Sequence, residues 1–289
     1  MSGNQSARSQ SIWRASLRRL LHHKIGMFGA IIVLLTIFLA IFGQFIAPYN
    51  PTQMFFADRF SHPTLKHPLG TDNFGRDTLS RVMHGARVSI QVGLIAVGIS
   101  GVFGTLLGLI AGYTGSFLEQ VIMRFMDILL SFPPILLAIA LMAVLGKGAN
   151  NAMIAIGIVY APIFARIARG ATVETKEETF VEAANSIGAS KSRILFRHIL
   201  PIALPLLIVE ASLSMATAIL AEAALSFFGL GVQPPQPSWG RMLSQGRNYL
   251  NQSVWMGIFP GFAIMFTVMG FNFLGDGLRD VLDPKLKNT

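Results

Sequence analysis

The sequence contains no cysteine, which excludes a disulfide framework and thiolate metal centres but leaves the compartment open. Charge is the second scarcity. Only 13% of the 289 residues are Asp, Glu, Lys or Arg, where a soluble domain carries about a quarter. Acidic residues are the scarcer sign, 14 against 23 basic ones, for a net charge of +9. Catalytic signatures are missing as well. Gly146-Lys147-Gly148 does not fit a GxxxxGK[ST] phosphate loop, so ATP hydrolysis is not expected of this chain. The six histidines (22, 23, 62, 67, 84 and 198) contain no HExxH, and no serine has an identifiable base. His62 and His67 are expected to be solvated loop residues. No catalytic, cofactor or metal site is therefore expected.

What the chain has instead is apolar length: 52% of its residues are hydrophobic and its mean hydropathy is +0.56. A spanning helix needs about 20 apolar residues. Six segments qualify: Ile25–Ala47, Val88–Tyr113, Val121–Leu145, Ala149–Arg169, Ile199–Gly229 and Val254–Leu274. The first is too long for a signal-peptide core and is expected to stay on the chain. The fold class is thus all-α: a polytopic membrane protein of six transmembrane helices. With the N-terminus inside, fifteen Lys/Arg fall on the inner side and eight on the outer, so both termini are expected in the cytoplasm. The basic residues sit in short segments between spans, which suits anionic lipid headgroups and cytoplasmic partners rather than nucleic acid.

The domain plan follows. Residues 1–24 form a cytoplasmic tail in which Trp13, Leu17, Leu20 and Leu21 share one face of an expected interfacial helix. Residues 25–289 form the transmembrane domain, with an outer loop at 48–87, a cytoplasmic loop at 172–198 and a second outer loop at 230–251. The proline-rich run from Gly231 to Trp239 is expected to be extended.

Gly104, Gly108 and Gly112 form a doubled GxxxG, spacing that lets helix backbones approach closely. Ser131-Phe132-Pro133-Pro134 predicts a kink in the third span. Arg124 and Asp127, three apart, are expected to pair on one helical face. Glu210 and Glu222 lie deeper, in the fifth span, and are the candidate pathway residues, because an intramembrane carboxylate usually faces a cavity or a partner helix. Twelve residues at about 100° each set them some 120° apart, so they are not expected to serve one site together.

Between two membrane-grade runs stands EAANSIGASKSRILFRHILP, residues 182–201. Gly188 can break a helix there into two angled pieces, with Ser190 capping the second. Such a compact, charged helix pair is either a docking surface or an amphipathic linker. Glu182, Ala183, Ala184, Gly188, Leu200 and Pro201 resemble the EAA loop of ABC importer membrane subunits; His198 stands where that pattern is usually apolar. HPLGTDNFGRDTLSRVMHGARVSI (67–90), MRFMDILLSFPPILLAIAL (123–141), LSFFGLGVQPPQPSWG (225–240) and FNFLGDGLRDVLDPKLK (271–287) resemble the dipeptide/oligopeptide/nickel permease group, in particular C-type dipeptide permease subunits.

The resemblance implies a pathway-forming subunit of a binding-protein-dependent, ATP-driven importer in a bacterial inner membrane. Its coupling helices would dock on ATPase subunits through Glu182, Ala183, Ala184, Gly188, Ala189 and Arg193. The implied partners are a paralogous second permease, two ATPases that hold the ATP-Mg, and an extracytoplasmic peptide-binding protein that meets the outer loops. Dipeptides or short peptides are the expected cargo, with glutathione and nickel chelates as alternatives. No role follows for Arg76, Asp77 or Asp276 beyond structure. The reading from a different class is a proton- or ion-coupled secondary transporter using Glu210 or Glu222. Inverted repeats are common in such carriers, and no such symmetry is evident here.

Overall fold

A computed structural model describes residues 19–282, and among these the chain is almost wholly helical, with no strand. The expected interfacial helix lies outside the described residues except for its last turn, 19–22, which is helical. In chain order the helices are α1 (Lys24–Ile46), α2 (Thr78–Thr114), α3 (Ser116–Leu130), α4 (Pro134–Leu145), α5 (Ala149–Thr175), α6 (Thr179–Ser186), α7 (Lys191–Ile194), α8 (Leu200–Phe227), α9 (Trp239–Asn248) and α10 (Trp255–Leu282). A five-residue π-helical turn, Leu195–Ile199, joins α7 to α8, making one apolar rod from Lys191 to Phe227.

Five rods are long and apolar enough to cross a bilayer. The third expected span is different. The sequence predicts one kinked helix, but α3 and α4 are separate helices set at 97°. The cause is local. Pro133 and Pro134 supply no backbone N–H, so the helical ladder of α3 ends at Ser131, whose N–H reaches Asp127 O and Ile128 O, and Pro134 opens α4 at its first position.

Helix direction shows what this corner does. Gly104, Gly108 and Gly112 of α2 lie against Ala161, Ala165 and Thr172 of α5 in increasing order, so α2 and α5 run parallel. Parallel neighbours need an odd number of crossings between them. The α3–α4 pair is therefore the return crossing, and it makes the sixth. The other seams are antiparallel. Gly26 and Gly29 of α1 meet Gly277 and Leu274 of α10, and Gly93 of α2 meets Met215 and Ile219 of α8. Residues 24 and 282 thus lie on one face of the bundle, called here the near face.

The glycines fix these seams because they let backbones touch. A Cβ at Gly112 would stand 2.7 Å from Thr172 Cβ, and one at Gly29 2.5 Å from Leu274 N. The core is accordingly built from small residues. Ala96, Ala152, Ala155, Ala165 and Ala168 are all essentially buried, with Phe164 and Leu109 filling between them.

The far face carries a folded cap, residues 47–77. Asp72 organises it: its carboxylate accepts from Phe74 N at 2.8 Å, Arg76 N at 3.0 Å and Arg76 Nε at 2.6 Å. Arg81 stands 3.6 Å from the same carboxylate and donates to Pro51 O. Asp77 caps α2 by accepting from Ser80 N at 2.8 Å, which is why this helix starts ten residues before the expected span. His67 is 1% exposed with Nδ1 3.0 Å from Asp77, and His62 Nδ1 accepts from Trp255 Nε1 at 3.2 Å. Both histidines are partnered rather than simply solvated as expected. At the rim, Lys66 donates to Asp58 at 2.6 Å and holds that carboxyl below its usual range.

The last far-face loop is not wholly extended. Ser238 accepts from Arg241 N and starts α9, and Trp239 Nε1 donates to Val82 O at 2.9 Å. Gly240 sits against the Ala223 backbone, which ties α9 to α8 and α2.

Candidate functional site

Three polar regions break the apolar bundle. The first is the near-face segment between α5 and α8. Its ends are more ordered than a loop: α5 runs on to Thr175, and 191–199 is already part of the α8 rod. What remains is a helix–turn–helix. Gly188 has φ +78°, its N–H reaches Asn185 O at 2.9 Å, and Ala189 N reaches Ala184 O at 3.0 Å. These paired bonds close α6 in a Schellman turn, which a glycine adopts without a Cβ penalty. Ser190 then accepts from Arg193 N at 3.4 Å and starts α7.

Anchoring and presentation are divided by helix face. Val181, Ala184 and Ile194 are buried in the main core. Glu182, Ala183 and Arg193 are exposed, Ala189 is half-buried, and Ile187 at the turn is 85% exposed. Six sequence-predicted residues therefore lie in one compact hairpin, although Ala184 faces inward. Ile187 was not among them. An apolar residue adjoining a left-handed glycine was the available signal.

The second region holds the two intramembrane glutamates, and the structure does not bring them together. Glu222 is fully enclosed near the far face, where Ser226 Oγ donates to its Oε1 at 2.7 Å and Ser89 and Ser238 face it. Glu210 is half-buried, accepts from Ser214 Oγ at 2.9 Å, and has Arg279 as its charged neighbour. Glu222 is thus buried where α8 packs against α2 and the start of α9, with its hydrogen bond to Ser226 made within α8 and its Oε2 left without a hydrogen-bond partner among the described residues.

The third region is a cleft of about 500 Å³ between α3 and α5. Asp127 Oδ1 accepts from Arg166 at 2.7 Å, and Glu119 accepts from Arg169, whose terminal nitrogen is 2.5 Å away. The expected Arg124–Asp127 pair does not form. Packing α3 across α5 brings Arg166 nearer to Asp127, and a contact between helices of distant sequence is invisible to i,i+3 spacing. Among the described residues no group of His, Cys, Asp and Glu is arranged to hold a metal ion.

Comparison with known proteins matches this architecture. A family profile described as binding-protein-dependent transport system inner membrane component covers residues 104–288, and one described as the N-terminal transmembrane domain of oligopeptide transport permease C covers residues 11–68. A dipeptide transport system permease protein of Alkalihalophilus pseudofirmus is 47% identical over 96% of this chain and 91% of its own. A glutathione transport system permease protein of Escherichia coli is 47% identical over 95% of this chain and 91% of its own. A di/tripeptide transport system permease protein of Pseudomonas aeruginosa is 44% identical over 93% and 90%. Among solved structures, the inward-facing MetNI methionine ABC transporter aligns with a TM-score of 0.56 at 21% identity, over 69% of this chain and 95% of that one, a likeness of fold.

Proposed function

The chain belongs to the binding-protein-dependent transport system inner membrane components, and from that membership we propose that it imports dipeptides or short peptides by lining a pathway that separate ATPases drive. The observation that carries the reading is the near-face hairpin. It is rigidly closed at Gly188, anchored in the core by Val181 and Ile194, and continuous through the π turn with a transmembrane rod. A push on its exposed side, at Glu182, Ala183, Ile187 and Arg193, would move α8 as a unit. The ATPases would dock there and hold the ATP-Mg. A paralogous permease would complete the pathway, and an extracytoplasmic peptide-binding protein would meet the far-face cap. A glutathione-named relative at the same identity keeps glutathione as the alternative cargo. A proton-coupled carrier is less well supported, since Glu222 is sealed and stands apart from Glu210.

The test is purification of the tagged chain from native membranes in mild detergent, with co-purifying proteins identified by mass spectrometry. A second permease and ATPase subunits are expected, and proteoliposomes of that complex with its binding protein should take up dipeptide only with ATP. Isolation of the chain alone under conditions that preserve known complexes would count against the importer.

The fifteen-to-eight bias of Lys/Arg supports a cytoplasmic near face. The lack of native cysteine makes this directly measurable. In the chain produced without its ATPase partners, which would cover this position, Ile187→Cys is expected to react with a membrane-impermeant maleimide only after permeabilisation. Leu65→Cys, at a fully exposed cap position, should react in intact spheroplasts. The opposite pattern would invert the topology.

A further inference from the structure

We propose that the α3–α5 cleft is a carboxylate-binding station for the transported solute, with Arg124 taking the terminal carboxylate of a peptide. The proposal rests on the importer reading above. Three observations lead to it.

The first is the charge count. The cleft is lined by three arginines and two carboxylates. Each carboxylate already has a partner on the facing helix, Asp127 with Arg166 and Glu119 with Arg169. Arg124 has no hydrogen bond or ion pair among the described residues, and it is exposed. One guanidinium is left over in an otherwise neutralised site.

The second is position. Arg169 and Arg166 lie about 9 and 14 Å along α5 from its end at Thr175, at 1.5 Å per residue, which puts the cleft at the near-face end of the bundle. Arg166 and Asp127 are about half exposed, so the cleft opens to water there and a solute can reach it. The two ion pairs also fix the cleft's walls, since they tie α3 to α5 just before the 97° corner.

The third is shape and chemistry. The volume lies within the roughly 300–1,000 Å³ of ligand clefts. A guanidinium offers a planar fork of donors that matches a carboxylate in two parallel hydrogen bonds. Met123, also in the lining, is a flexible apolar surface able to accept different side chains beside that fixed anchor. Carboxylate recognition plus an adaptable wall suits solutes that share a terminus and differ in side chains.

The experiment uses the assembled complex. Arginine modification by phenylglyoxal is mapped by mass spectrometry with saturating dipeptide, with the same dipeptide as its C-terminal amide, and with phosphatidylglycerol alone. Arg124 is expected to be modified readily and protected several-fold by the dipeptide only. In proteoliposomes Arg124→Gln should lower dipeptide uptake about ten-fold, and Arg124→Lys less, each variant first being shown to assemble with its partners. Equal protection by acid and amide, no protection, or protection by the anionic lipid alone overturns the proposal, the last by making a headgroup the occupant. If the wild-type complex imports no peptide, the importer reading fails instead. If it imports peptide while Arg124 stays unprotected, only this site fails.

Discussion

Gly108→Leu is expected to abolish recovery of folded chain, while Gly98→Ala, two turns and more away on the same helix, is expected to be silent. The contrast follows from what a Cβ would meet. At Gly108 it would be driven into the carbonyl oxygen of Ala165 and stand 2.8 Å from Ala168 Cβ, whereas at Gly98 nothing lies within 4 Å. The obstacle is backbone, which no rotamer change relieves. Overpacking a core by single methylenes costs about 1–3 kcal/mol, and leucine adds four carbons against a main chain. Lipid makes the loss worse. Hydrocarbon tails are as apolar as leucine, so α2 and α5 are held by close van der Waals contact rather than by exclusion from water. Widening this seam removes that contact along Gly104, Gly108 and Gly112 together. Gly101 grades the series, because its Cβ would make ordinary contact with Phe164 at 3.6 Å. Monodisperse yield after detergent extraction and thermal unfolding of each variant measure the effect. A Gly108→Leu chain with wild-type yield and midpoint would remove the parallel α2–α5 seam, and with it the argument for six crossings.

The six crossings were legible because hydropathy reports them directly, and five needed little correction. Sequence misjudged the features set by contacts between remote segments. The SFPP stretch announced a break, but not that it separates two helices at 97°. The contacts of α3 with Arg166 and Arg169 took Asp127 away from Arg124. The cap read as a proline-broken loop because its order comes from one carboxylate, Asp72, and from the burial of His67 against Asp77. The hairpin was the opposite case. Gly188 and Ser190 act within their own few residues, so the turn and the second start were readable from the chain alone. Its continuity with α8 was not, since nothing local predicts that Leu195–Ile199 closes as a π turn rather than opening into a loop. Glu222 read as a pathway candidate by charge and depth, and the enclosure by Ser89, Ser226 and Ser238 depends on three separate elements.

The double substitution Glu182→Ala, Gly188→Pro is expected to reduce ATP-dependent uptake to background while the chain still inserts. Proline fixes φ near −65°, and Gly188 sits at +78°, so the residue has to leave its conformation. Proline also lacks the N–H that reaches Asn185 O, which opens the Schellman closure of α6. The hairpin then no longer holds Glu182 and Ile187 in a fixed orientation toward a docked partner. Glu182 itself is exposed and contributes little to the core, so its loss tests docking rather than folding. Gly188→Ala separates geometry from disruption. A Cβ there meets nothing within 4 Å, so its only cost is the left-handed conformation, about 1–2 kcal/mol, and uptake should fall partially. Ile187→Asp leaves backbone and core untouched and places a charge on the one large apolar side chain at the turn, so a defect there locates the contact itself. The measurement is uptake and ATP turnover in matched proteoliposomes, with insertion checked by protease protection. Loss of uptake in both the double variant and Ile187→Asp, at wild-type insertion, places the transmission of work in this hairpin. Retained uptake in the double variant would move it elsewhere, because no coupling element can lose its fixed geometry and still transmit a push to α8.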